Sequence, residues 1–115
     1  MQRDRLFVYK PGFIDHGQPW FCPYSAEVVG FLTYYPEVRP TLVVDEIDFA
    51  KPRRALVELL GEDMQAAPIL VLHDGAPDHA PDGVRIAERN GHRFVEKTIE
   101  ILRYLAATRG VPGPH

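Results

Sequence analysis

Three apolar runs of strand length, Leu6–Tyr9, Leu42–Val44 and Ile69–Leu72, alternate with segments of helical period, and this alternation restricts the architecture more than any other feature. Leu6-Phe7-Val8-Tyr9 carries no polar residue, so it predicts a strand covered on both faces, and Lys10-Pro11-Gly12 closes it as a turn. The segment Phe13–Phe21, with Gly17 and Pro19 and no period, predicts a loop. Val28, Leu32 and Tyr35, beside Val29 and Phe31, then recur at helical spacing until Pro36 stops them. Tyr34-Tyr35 should give one ring to the core and one to the surface.

A second strand begins at Leu42 and continues through the alternation Glu46, Ile47, Asp48, Phe49. Pro52 is expected in the first turn of a helix that buries Leu56, Leu59 and Leu60, with Gly61 just past its end and Arg53-Arg54 solvated. Ala66-Ala67-Pro68 leads into Ile69–Leu72, which has the length of a central strand. Asp74–Gly83 reads as loop, and Val84–Glu88 as a fourth strand followed by an Asn90-Gly91 turn. In an alternative reading the fourth strand is His92–Val95 and the last helix starts later. The last helix presents Val95, Ile99, Leu102 and Leu105 or Ala106 on one face, and Gly110 with Pro112 ends it. The order β-α-β-α-β-β-α predicts a mixed sheet in the order 2-1-3-4 flanked by three helices. At 115 residues and 45% hydrophobic content, residues 1–115 suit one domain that needs no disulfide or metal to hold its core.

Charge and cysteine usage narrow the function. The net charge is -3 and the thirteen Lys and Arg are scattered, so there is no basic field for nucleic acid. No apolar stretch approaches a membrane span, no leader is evident, and the one cysteine suits a reducing compartment. The reading is cytoplasmic, with neither nucleic acid nor membrane as partner, and it leaves the oligomeric state open. His73-Asp74 with His79 and Asp82, and Asp15-His16, lie in turn-rich segments, where such residues are ordinarily solvated, so no metal is expected.

Cys22-Pro23-Tyr24-Ser25 after the first strand, at the start of the first helix, is similar to the CPYC and CxxS motifs of glutaredoxins, and Pro68 stands where that family has its cis-proline. With the strand order, nearly the whole chain resembles the thioredoxin-like superfamily. It also looks like a bacterial group of thioredoxin-like domains that begin with a strand, Lys-Pro-Gly-Phe and a loop leading to Phe-Cys-Pro or Tyr-Cys-Pro. The resemblance implies a thioredoxin-like α/β fold and a monothiol glutaredoxin-like function, a glutathione-dependent thiol-disulfide oxidoreductase working through Cys22. Unpaired N–H groups at a helix start favour thiolate over thiol, and Pro23 fits there because its missing N–H would have had no helical partner.

Ser25 replaces a resolving cysteine, so a glutathione or protein thiol would have to complete the exchange. Glutathione would be a co-substrate, with no tightly bound cofactor. By the same resemblance Lys10, Pro23, Tyr24, Ser25, Ala67, Pro68, Asn90 and Gly91 would line the substrate site. Ala67 would offer its backbone to an extended ligand, Lys10 would meet a carboxylate across a long loop, and Asn90-Gly91 would stand for the glycine turn before the last helix. Two other readings are a thioredoxin-like binding or adaptor module whose chemistry is lost and, third, a cluster-sharing pair of domains. The tyrosine after Cys22-Pro23 speaks against the cluster.

Overall fold

The first strand, β1 (Asp4–Tyr9), is buried on both faces, with Leu6, Phe7 and Val8 at most 1% exposed. This follows from its unbroken apolar run. The computed structural model describes Met1–His115, and around β1 it sets β2 (Phe13–Asp15), β3 (Gln18–Trp20), α1 (Pro23–Tyr34), β4 (Leu42–Ile47) and α2 (Arg54–Leu60). The chain continues through β5 (Ile69–Val71), β6 (Ala87–Arg89), β7 (His92–Val95) and α3 (Thr98–Arg109). One mixed sheet has the order β4-β1-β5-β7-β6, with β4 parallel to β1 and the other neighbours antiparallel.

Strand side chains alternate between faces, and the register sorts them into two cores. Leu6 pairs with Leu70 and Leu70 with Val95, and this row packs under Val28, Leu32, Ile101 and Leu105 of α1 and α3. Phe7, Ile69, Val71 and Phe94 point the other way and pack against Leu56 and Leu60 of α2. Fully burying one such side chain is worth about 1.5–3 kcal/mol, so these two layers hold the sheet between its helices. Tyr34 is 82% exposed while Tyr35 packs on the core, as expected.

The structure corrects the sequence reading at four places. The strand beside β5 is His92–Val95, the alternative reading, and not Val84–Glu88, of which only Ala87 and Glu88 join the edge strand β6. Asn90 and Gly91, with φ of 53° and 78°, form a two-residue hairpin turn between strands rather than the end of one. The apolar residues that fill the core, Phe94 and Val95, lie after that turn.

Phe13–Phe21 is not loop throughout, because β2 and β3 form a hairpin closed by His16 and Gly17 at φ of 50° and 74°. Phe13 anchors it by stacking on Phe49, with ring centroids 4.3 Å apart. The second helix begins at Arg54, and Pro52 lies before it in a cis bond to Lys51. Arg53 is not solvated, since its guanidinium donates to the Phe49 and Gln65 carbonyls and lies 4.9 Å from the ring centres of Tyr9 and Phe49. The last helix begins at Thr98, as the alternative reading has it, so Val95 belongs to β7; Ile99 is 40% exposed and the buried stripe is Ile101, Leu102, Tyr104, Leu105 and Ala106.

Candidate functional site at the start of the first helix

The carboxyl end of β1 and the start of α1 meet through Ser25. Lys10 N–H points across to the Ile47 carbonyl of β4 at 2.9 Å, and successive N–H groups of a strand point to opposite sides. The Tyr9 N–H therefore points toward β5, whose pairing with β1 ends at Ile69 opposite Phe7. No strand partner remains for it, and the buried Ser25 hydroxyl accepts it at 3.1 Å. The serine that stands where a resolving cysteine would be is thus a tie between strand and helix.

Cys22 is the residue that caps α1. Its backbone is extended, its carbonyl accepts the Ala26 N–H at 3.0 Å, and its Sγ accepts the Ser25 N–H at 3.4 Å. Pro23 follows in the first helical position, where it gives up no helical hydrogen bond. The thiol is free and half-buried. It opens on a mostly apolar cavity of about 280 Å³ that Tyr9, Phe21, Val29 and Glu46 help to line. Glu46 is the only charged residue of that lining. Phe21 is 63% exposed at the cavity's edge, and Trp20 and Tyr24, close to it in sequence, are 49% and 60% exposed.

The other expected site residues are divided among separate places. Ala67-Pro68 is cis, as expected, and together with Tyr24, Glu27 and the start of α3 it lines a neighbouring depression of about 430 Å³. The Ala67 N–H is not free for a ligand, because it donates to the Tyr9 hydroxyl at 3.3 Å. The Lys10 ammonium is 3.0 Å from Asp48, and Lys10 lines a third depression beside α2. Asn90 and Gly91 lie at the far end of the sheet, beyond His92, one four-residue strand or roughly 13 Å from the end that holds Pro68. There Asn90 donates to the Leu59 carbonyl. The place before α3 is occupied by Glu96 and Lys97 instead.

Tyr9 and Glu46 belong to the site without having been singled out. Tyr9 joins the two depressions, since it lines the Cys22 cavity and its hydroxyl accepts the Ala67 N–H. Its signal was its place at the carboxyl end of a strand paired in parallel, the end at which open α/β sheets hold ligands.

No group of three His, Cys, Asp or Glu side chains is arranged to hold a metal ion, and no helix is long and apolar enough to cross a membrane. Among curated proteins and among solved structures nothing matches the chain. A family model does match over residues 3–113, that of DUF3088, described as a protein of unknown function. That match spans nearly the whole sequence, and the chain belongs to the DUF3088 family.

Proposed function

We infer that the protein is a thioredoxin-like monothiol exchange protein in which Cys22 is the nucleophile. The observation that carries this reading is the half-buried Cys22 Sγ at the start of α1, accepting the Ser25 N–H and opening on a cavity at the carboxyl end of β1. The inner strands β4-β1-β5-β7 support it, having the 2-1-3-4 order of the thioredoxin-like fold, with β6 and the β2–β3 hairpin as additions.

In the exchange, the Cys22 thiolate attacks one sulfur of a substrate disulfide. The Cys22–S bond forms as the S–S bond breaks, and the leaving sulfur departs with the electron pair as a thiolate. A second thiol then attacks the Cys22 sulfur, forming a new disulfide and returning Cys22 to thiolate. Ser25 provides no thiol to close an internal disulfide, so the second thiol comes from outside.

The lining of the cavity favours a peptide disulfide over free glutathione. Glutathione brings two carboxylates, whereas the cavity holds Glu46 and no Lys or Arg, and Lys10 is engaged by Asp48. Exposed Trp20, Phe21 and Tyr24 suit apolar side chains flanking a substrate sulfur. The same features favour the second reading, a binding module that takes apolar peptide without chemistry. Mass spectrometry after incubation with glutathione disulfide or with an apolar peptide disulfide separates these readings. Exchange predicts a peptide adduct on Cys22 that forms faster than the glutathione adduct; an unmodified protein with both, under conditions that modify the unfolded chain, leaves only the binding module.

A further inference from the structure

At the opposite end of the sheet, Asp4 is 1% exposed although it is a carboxylate. Its Oδ1 accepts the His73 backbone N–H at 2.8 Å and the His73 Nδ1–H at 2.7 Å, and its Oδ2 accepts from Arg109 at 3.0 Å. An imidazole that donates from Nδ1 to a carboxylate keeps, when neutral, its lone pair on Nε2, and that nitrogen has no partner in the chain. The loop that carries His73 is pinned from behind by Arg93, whose guanidinium donates to the Ala76 carbonyl at 2.8 Å, to the Pro77 carbonyl and to Asp78.

Beside this pair is Tyr104 of α3, 3% exposed, whose hydroxyl forms no hydrogen bond within the protein. Burial, then the nearby Asp4 charge, raises its pKa above 10.0, so the phenol stays a neutral donor. Asp4, His73, Tyr104 and Arg109 together line an open cavity of about 660 Å³, with Arg3 and Glu37, both exposed, also contributing to it. An oriented imidazole and a phenol lining one cavity suit a hydroxylated ligand, whose hydroxyls can donate to His73 Nε2 and accept from Tyr104. Arg109 is engaged by Asp4, Thr41 and Thr108, whereas Arg3 has no ion-pair partner and is available to a carboxylate. Glu37 disfavours a second negative charge.

We propose that this cavity is a binding site, separate from the Cys22 end of the sheet, for a small hydroxylated monocarboxylate, its hydroxyl held between His73 and Tyr104 and its carboxylate met by Arg3. A purely structural role for Asp4, His73 and Arg109 accounts for their mutual contacts; the Tyr104 hydroxyl takes no part in them and faces the cavity.

Titration of the full chain with gluconate, followed through the His73 imidazole signals by NMR, tests the site against sorbitol, which has hydroxyls without a carboxylate, and hexanoate, which has the reverse. Gluconate should shift the His73 signals saturably and bind at least tenfold more tightly than either control. Tyr104→Phe removes one hydrogen bond and should weaken gluconate about three- to tenfold. Arg3→Gln, at an exposed position that leaves the fold intact, should weaken it by a similar factor and bring gluconate close to sorbitol. The proposal is overturned by the absence of a saturable shift, by sorbitol or hexanoate matching gluconate, or by an unchanged affinity in Arg3→Gln.

Discussion

Ser25→Ala removes one oxygen atom, and its cost can be worked from the contacts of that oxygen. The hydroxyl is buried and accepts the Tyr9 N–H at 3.1 Å, on the side of β1 where β5 pairing has ended at Ile69. Alanine fits without a clash, so no steric change offsets the loss. The Tyr9 N–H is then left inside the protein without an acceptor, which costs about 1–3 kcal/mol, the penalty of an unmade buried hydrogen bond rather than the smaller net value of a made one. For a chain of this size the melting temperature should fall by roughly 4 °C or more for each kcal/mol. Urea unfolding followed by circular dichroism measures the change directly, and a constant slope with denaturant shows that the unfolded state is unaltered. Ser25→Thr, which keeps the hydroxyl, should recover part of the loss. A Ser25→Ala protein within 0.5 kcal/mol of the parent would show that Tyr9 finds another acceptor, and would refute the view that the serine serves the fold.

Leu70→Ala, in the middle of the Leu6–Leu70–Val95 row, should cost about 2–5 kcal/mol, whereas Ile99→Ala on the 40% exposed position of α3 should stay within about 0.5 kcal/mol; parallel urea titrations give both. Asp4→Asn leaves Arg109 without its counter-charge at a position 1% exposed and should cost about 3–5 kcal/mol by the same assay. Tyr104 has its pKa raised by burial and by Asp4, so the neutral phenol is the form that folding prefers. Its contribution to stability is fully present below about pH 10, the unfolded value, and is lost as pH rises through the higher folded value. The phenolate absorbance of the native protein minus that of Tyr104→Phe should accordingly rise with a midpoint above pH 10.0, and a midpoint at or below that value would contradict the burial.

What could be read from the chain follows from how local the causes are. Leu6-Phe7-Val8 and Ile69-Leu70-Val71 were legible as strands because a run that is apolar at every position suits only a sheet covered on both faces. Cys22 at the start of α1 was legible because Pro23 and the helical period after it mark the boundary within a few residues. The β2–β3 hairpin was hidden, since its strands are short and mostly exposed and its anchor, Phe13 on Phe49, is a contact distant in sequence. Val84 and Ile86 misled because they are apolar yet only half-buried, packing against the larger core beside the sheet without joining a ladder.

At the site, Cys22–Ser25 stayed together and Ala67-Pro68 came to line a depression with Tyr24, whereas Lys10 and Asn90-Gly91 lie elsewhere. Lys10 was drawn to Asp48 because the parallel register sets Tyr9 opposite Ile47, which brings the next residues of both strands side by side. The Asp4–His73 pair joins residues 69 positions apart, and nothing in either local sequence announces the other.

The central claim, that Cys22 exchanges thiols, is tested most directly by turnover. With an apolar peptide disulfide and excess reduced glutathione, the rate of peptide thiol release is measured for the parent, Cys22→Ser and Ser25→Ala at a temperature where all three are folded. The account predicts catalysis by the parent, none above background by Cys22→Ser, and retained catalysis by Ser25→Ala, whose hydroxyl holds the fold and takes no part in the exchange. Equal rates for the parent and Cys22→Ser would contradict it.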